Sequence, residues 1–84
     1  MKEILVNLNT IEKVKDFVNK TSKLNSTEVK LDLVSDRYIV DATSIMGIFS
    51  LDLTKSLTLR IDTENKKIEA NIIENLKDFI IKKN

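Results

Sequence analysis

Ser44-Ile45-Met46-Gly47-Ile48-Phe49-Ser50-Leu51 is the stretch on which the reading of this chain turns. Thr43 or Ser44 can accept from the free N–H groups at the start of a short helix running through Ser50. Ile45, Met46, Ile48, Phe49 and Leu51 point round more than one face of about two helical turns, so one core cannot take them all. Spacing assigns Ile48 and Leu51 to the interior. Ile45, Met46 and Phe49 are then candidates for an exposed apolar patch containing a flexible methionine, a composition suited to an adaptable protein-binding surface. The alternative is that the C-terminal helix or a second copy of the chain covers them.

On the N-terminal side of this stretch the apolar period is two. Val29, Leu31 and Leu33 alternate with Lys30 and Asp32 from Thr27 onward, and Tyr38 to Ala42 resumes the extended pattern. This predicts a β-hairpin with its turn near Ser35-Asp36-Arg37. On the C-terminal side, Ser56 to Asp62 reads as a strand with Leu57, Leu59 and Ile61 on one face. Beyond Thr63, Ile68, Ile72, Leu76, Phe79 and Ile80 recur at helical intervals, predicting one long amphipathic helix whose C-terminal dipole suits Lys77, Lys82 and Lys83.

Near the start, Glu3 to Asn7 reads as a short strand with Ile4 and Val6 on one face. Asn9 can cap a helix, with Glu12 reaching back as in a capping box. Ile11, Val14, Phe17, Val18 and Thr21 then form the apolar stripe of a helix over 10–23. The order is βαββαβα. Strands that each need one buried face, together with one-sided helices, predict an α+β fold: a four-stranded antiparallel sheet covered by three helices on one face.

Composition narrows the function classes. The 84 residues suit a single domain over 1–84, and 42% hydrophobic with 32% charged residues is an ordinary globular balance. Fourteen Lys and Arg against 13 Asp and Glu leave a net charge of +1, too little field to recruit nucleic acid or an anionic membrane. The chain has no cysteine and no histidine, which removes thiolate chemistry, disulfides and soft-metal sites. No cofactor is implied. Met1 to Val6 carries an acid and too short an apolar run for a signal peptide or a span, so the expected location is cytoplasmic. The scattered acids Asp32, Asp41, Asp52, Asp62 and Glu69 are the only material for an enzyme, which is expected only if they cluster in a cleft.

Ser-Ile-Met-Gly, an apolar residue, and then Ser-Leu resembles the regulatory-serine segment of HPr, the small phosphocarrier of the bacterial sugar phosphotransferase system. Placed through residues 44–47, almost the whole chain follows the HPr pattern, with a slightly longer hairpin around Val34 to Arg37. The resemblance implies an open-faced β-sandwich of the order already read. It also implies that Ser44 is a regulatory phosphoacceptor and that Ile45, Met46 and Phe49 dock partner proteins. A serine at a helix N-terminus suits such a role, because a phosphate there meets unpaired N–H groups and the positive dipole end.

The carrier motif of the family has the form Gly-x-His-Ala-Arg-Pro-Ala. Gapless placement of the first helix puts Thr10 at the histidine, Ile11 at the alanine, Glu12 at the arginine and Lys13 at the proline. An acid in the first turn satisfies the dipole itself and repels a phosphoryl group. A phosphothreonine ester at Thr10 lacks the transfer potential of a phosphoramidate. Asp52 and Ser56 also stand where many HPr proteins have glycine, so a need there for positive φ or for close approach of a kinase would weaken the Ser44 reading.

The expectation is a non-catalytic HPr relative, not an enzyme, acting as regulator or adaptor through residues 44–49. Its implied partners are proteins, such as an HPr kinase/phosphorylase or a transcriptional regulator, with the chain a monomer or weak homodimer. The competing expectation is an HPr-fold interaction module serving an unrelated assembly, with Ser44 only a helix cap.

Overall fold

A computed structural model of the protein describes residues 1–81. Its elements are β1 (Lys2–Val6), α1 (Ile11–Leu24), β2 (Lys30–Ser35), β3 (Tyr38–Asp41), α2 (Ile45–Phe49), β4 (Leu57–Asp62) and α3 (Lys66–Asn75), followed by a 3-10 turn at Lys77–Phe79. The strands form one sheet in the order β1-β4-β2-β3, antiparallel at every pair.

The period-two pattern sorts the sheet into two faces. Val6, Leu57, Leu59, Ile61, Leu31 and Leu33 are buried together with Val14 and Phe17 of α1, Ile72 of α3 and Leu76. Removing these side chains from water is the main favourable term of the fold. The opposite face carries Glu3, Arg60, Asp32 and Asp41 in one cross-strand row and Leu5, Thr58, Val34 and Ile39 in the next, all exposed or half-buried. All three helices stand on the buried side of this antiparallel α+β fold.

Several local expectations are corrected. The N-cap of α1 is Thr10, not Asn9: Thr10 Oγ1 accepts from the amide of Lys13 at 3.1 Å. Because the helix begins one residue later, the third helical position is Lys13 and Glu12 cannot close a capping box. Asn9 Oδ1 instead accepts from Lys13 Nζ at 3.2 Å. Ile11, assigned to the apolar stripe, is 62% exposed. At 100° per residue it lies roughly 90° from the line through Val14, Phe17 and Thr21 that faces the sheet, at the rim of the stripe.

The single long C-terminal helix is also corrected. Helix α3 ends at Asn75, whose side-chain amide donates to the Asn71 carbonyl at 2.8 Å, a local bond that competes with the helical ladder. The chain turns at Leu76, runs through the 3-10 turn and becomes extended, so that Ile80 pairs with Val6 rather than continuing a helix. The amide of Asn7 donates to Phe79 O and that of Ile81 to Leu5 O, each at 2.9 Å. The buried Leu76 and Phe79 satisfy the helical spacing without a helix. Phe79 meets Phe17 edge-on at 5.4 Å, an arrangement that aromatic quadrupoles favour. Lys77 Nζ bonds Glu74 Oε1 at 3.0 Å, while Lys82 and Lys83 lie outside the described residues.

Candidate functional site

The segment from Asp41 to Ser50 is built by short-range bonds. Asp41 Oδ1 accepts from the amide and the hydroxyl of Thr43, at 2.8 and 2.6 Å. These two bonds hold the Asp41 carboxyl below the usual aspartate range, because each stabilises the charged form. The turn they make brings the Ser44 amide to Asp41 O at 3.0 Å and starts α2. Ser44 is its N-cap: the side-chain oxygen accepts from the Gly47 amide at 3.1 Å and the carbonyl accepts from the Ile48 amide at 3.0 Å. Thr43, the other candidate cap, is spent on Asp41.

Gly47 makes room for this arrangement. A Cβ at that position would lie 3.1 Å from Ser44 Oγ and 3.3 Å from Val40 Cβ, so it would crowd both the capping hydroxyl and the strand beneath. The glycine is explained by close approach rather than by φ, and nothing in its local sequence signals it. Among the described residues the only non-glycine with positive φ is Asp36, at 51° in the two-residue turn between β2 and β3. Neither Asp52 nor Ser56 therefore adopts a backbone that calls for glycine. Asp52 instead closes a turn, its Oδ1 accepting from the Thr54 amide and hydroxyl at 3.1 and 2.6 Å.

Met46 is 77% exposed and Phe49 40%, whereas Ile48 and Leu51 are buried, as the spacing requires. Ile45 differs from expectation. It is half-buried and packs against the core, because the first residue of α2 sits on the same side as Ile48 one turn later. The exposed apolar surface of α2 is therefore Met46 with Phe49. A residue outside this segment anchors it: Thr21 of α1 is fully buried and its hydroxyl donates to Ala42 O at 2.8 Å, with Val18 O at 3.2 Å. The signal was a threonine at a core position of an apolar stripe, where a buried hydroxyl needs a partner.

At the other candidate position, Thr10, Ile11, Glu12 and Lys13 form the first turn of α1. A proline in place of Lys13 would have no N–H, so the cap bond from Lys13 to Thr10 exists only because the residue there is not proline. The acids do not converge on a cleft, but neither are they all dispersed. Asp32 stands opposite Asp41 across β2 and β3, and Arg60 stands opposite Asp32 on β4. Lys30 Nζ is 3.9 Å from Asp32, and Glu69 pairs with Lys66 on α3. No group of three acids able to hold a metal ion occurs among the described residues. No helix among them is long and apolar enough to cross a membrane.

The family model for the PTS HPr component phosphorylation site matches residues 12–82. The chain belongs to the HPr family. Among solved structures, HPr-C-His from Thermoanaerobacter tengcongensis matches this HPr-family chain with a TM-score of 0.69 and 25% identity, over 93% of this chain and 89% of the other. No curated protein sequence matches it. The HPr family is one of phosphocarriers rather than enzymes, yet this member contains no histidine. The family match begins at Glu12, after the threonine that caps α1.

Proposed function

We propose that this chain is an HPr-family protein that no longer carries phosphate and instead regulates or adapts other proteins by docking them at α2, with Ser44 as the phosphoacceptor that tunes docking. The observation that carries this reading is the exposure of Met46 and Phe49 on the helix that Ser44 caps. A flexible methionine beside an exposed aromatic ring offers adaptable apolar contact. Thr10, at the position of the carrier histidine, supplies a helix cap and no imidazole. Implied partners are an HPr kinase/phosphorylase or a transcriptional regulator, and the implied location is the cytoplasm.

Phosphate on Ser44 would add about two negative charges next to the N–H groups of α2, changing the charge of the docking surface more than its shape. Gly47 leaves the space beside the hydroxyl that such a group requires. The test is incubation with an HPr kinase and ATP followed by mass analysis. One added phosphate, mapped to Ser44 and absent from Ser44→Ala, is expected; an unmodified chain refutes the switch. Met46→Asp should then abolish capture of phosphotransferase-system regulators in a pull-down.

A second reading rests on the same hydroxyl. Ser44 Oγ is already engaged as a cap by the Gly47 amide, which favours an HPr-fold module of an unrelated assembly with no switch at this position. Failure of any phosphotransferase-system regulator to associate with the wild-type chain selects this reading over the first.

A further inference from the structure

The two edges of the sheet are treated differently. The β1 edge is covered by the chain itself, through the bonds from Asn7 to Phe79 and from Ile81 to Leu5. The β3 edge has no such cover among the described residues. Ser35 and Tyr38 flank a two-residue turn, so they exchange backbone hydrogen bonds, and the alternation of an antiparallel ladder makes Leu33 and Val40 the next bonded pair. The bond from the Ala42 amide to Leu31 O, at 3.0 Å, continues the same alternation. Ile39 therefore directs both its N–H and its C=O away from β2. Edge strands are commonly protected by shortness, charged side chains, proline or a bulge. β3 is short at four residues and ends in Asp41, but Tyr38-Ile39-Val40 carries no charge, proline or bulge, and Tyr38 and Ile39 are 68% and 57% exposed.

We propose that a second copy of this chain pairs antiparallel along the β3 edge, with Ile39 opposite Ile39 on a two-fold axis, joining two four-stranded sheets into one. Pairing across an edge must keep each side chain opposite one on the same face, which allows self-registers centred on Tyr38, Ile39 or Val40. Centring on Ile39 brings Arg37 of each copy, in the turn that leads into β3, level with Asp41 of the other, within reach of a long guanidinium side chain. On the helix face it sets Tyr38 opposite Val40, an aromatic and β-branched pair of the kind that stabilises sheets. Centring on Val40 would instead put the Asp41 carboxylate against Ile39, and centring on Tyr38 would put Asp36 against Val40. Charge complementarity thus selects the Ile39 register, in which each favourable contact occurs twice by symmetry. The Asp41 carbonyl already accepts from Ser44, so the central backbone exchange is at Ile39 and the association is weak.

Sedimentation of the full chain over a concentration series tests this, alongside the variants Ile39→Lys and Arg37→Asp. Both residues are exposed, and circular dichroism checks that each variant keeps the fold. The wild type should dimerise reversibly, and each variant should raise the dissociation constant by about tenfold or more, since each change acts twice in the dimer. Amide hydrogen exchange supplies the specific readout: the Ile39 amide should become more protected as concentration rises, whereas the Val40 amide is protected throughout. A chain that stays monomeric at the highest soluble concentration overturns the proposal and leaves the edge, if used, to a segment of another protein. So does a dimer that Ile39→Lys does not weaken and in which Ile39 exchange ignores concentration.

Discussion

At the scale of single residues, hydroxyl side chains do much of the structural work at both candidate positions. Thr10 caps α1 and Ser44 caps α2, each accepting from the amide three residues on, at 3.1 Å. Removing such a cap costs about 1 kcal/mol. Ser44→Ala should therefore lower the melting temperature by about 4–8 °C in a domain of this size, whereas Ser44→Asp, which still presents an acceptor to Gly47, should stay close to wild type. Thermal denaturation followed by circular dichroism reads both. The comparison also separates structure from signalling, because an aspartate that keeps the cap adds charge at the docking surface without loosening the helix.

At the scale of elements, α1 and the approach to α2 are joined by one buried hydrogen bond, from the Thr21 hydroxyl to Ala42 O. Thr21→Val keeps the shape and deletes the donor, leaving a buried carbonyl without that partner. The expected loss is about 1–3 kcal/mol, measured by urea denaturation. The same change should loosen the Asp41 to Ser44 turn, since the residue preceding Thr43 is no longer tied to α1. The hairpin of β2 and β3 is another element whose detail is local: Asp36 takes the positive φ of its turn, a conformation that aspartate tolerates better than most side chains.

At the scale of the whole molecule, acid and alkaline stability follow from a few exposed contacts. The carboxyls of Asp41 and Asp52 lie below their usual range in the fold, each through bonds from a threonine two residues on. A lowered folded value stabilises the protein above the unfolded one, and that contribution disappears as pH falls through the folded value. Lys77 runs the other way. Glu74 raises it, so its contribution is complete below the usual lysine range and is lost as pH rises through the raised value. With no histidine, no side chain of ordinary pKa titrates between these limits. Stability should be level between about pH 5 and 9 and fall on both sides. Thr43→Val removes the hydroxyl bond that does most to lower Asp41, so it should reduce stability near neutral pH and make the acid-side loss shallower while leaving the alkaline side unchanged, which melting curves across a pH series would show.

Much of this architecture was legible because its signals are local. Val29, Leu31 and Leu33, and again Leu57, Leu59 and Ile61, alternate as a one-sided sheet demands, and Val14, Phe17 and Thr21 repeat as a buried helical face. These patterns, with the Ser44 to Leu51 stretch, determined the α+β class, and the absence of histidine determined by itself that no imidazole can carry phosphate here. Only tertiary structure decided the rest. Strand order and the identity of the two edges depend on which distant segments pair, and a period of two is silent about partners. Leu76, Phe79 and Ile80 kept a helical rhythm, yet the packing of Phe79 against Phe17 and the single bridge from Ile80 to Val6 go with a 3-10 turn and an extended residue rather than a helix. Ile45 went inward and Ile11 outward because burial at the end of a helix is set by what lies across from it, and that neighbour belongs to another part of the chain.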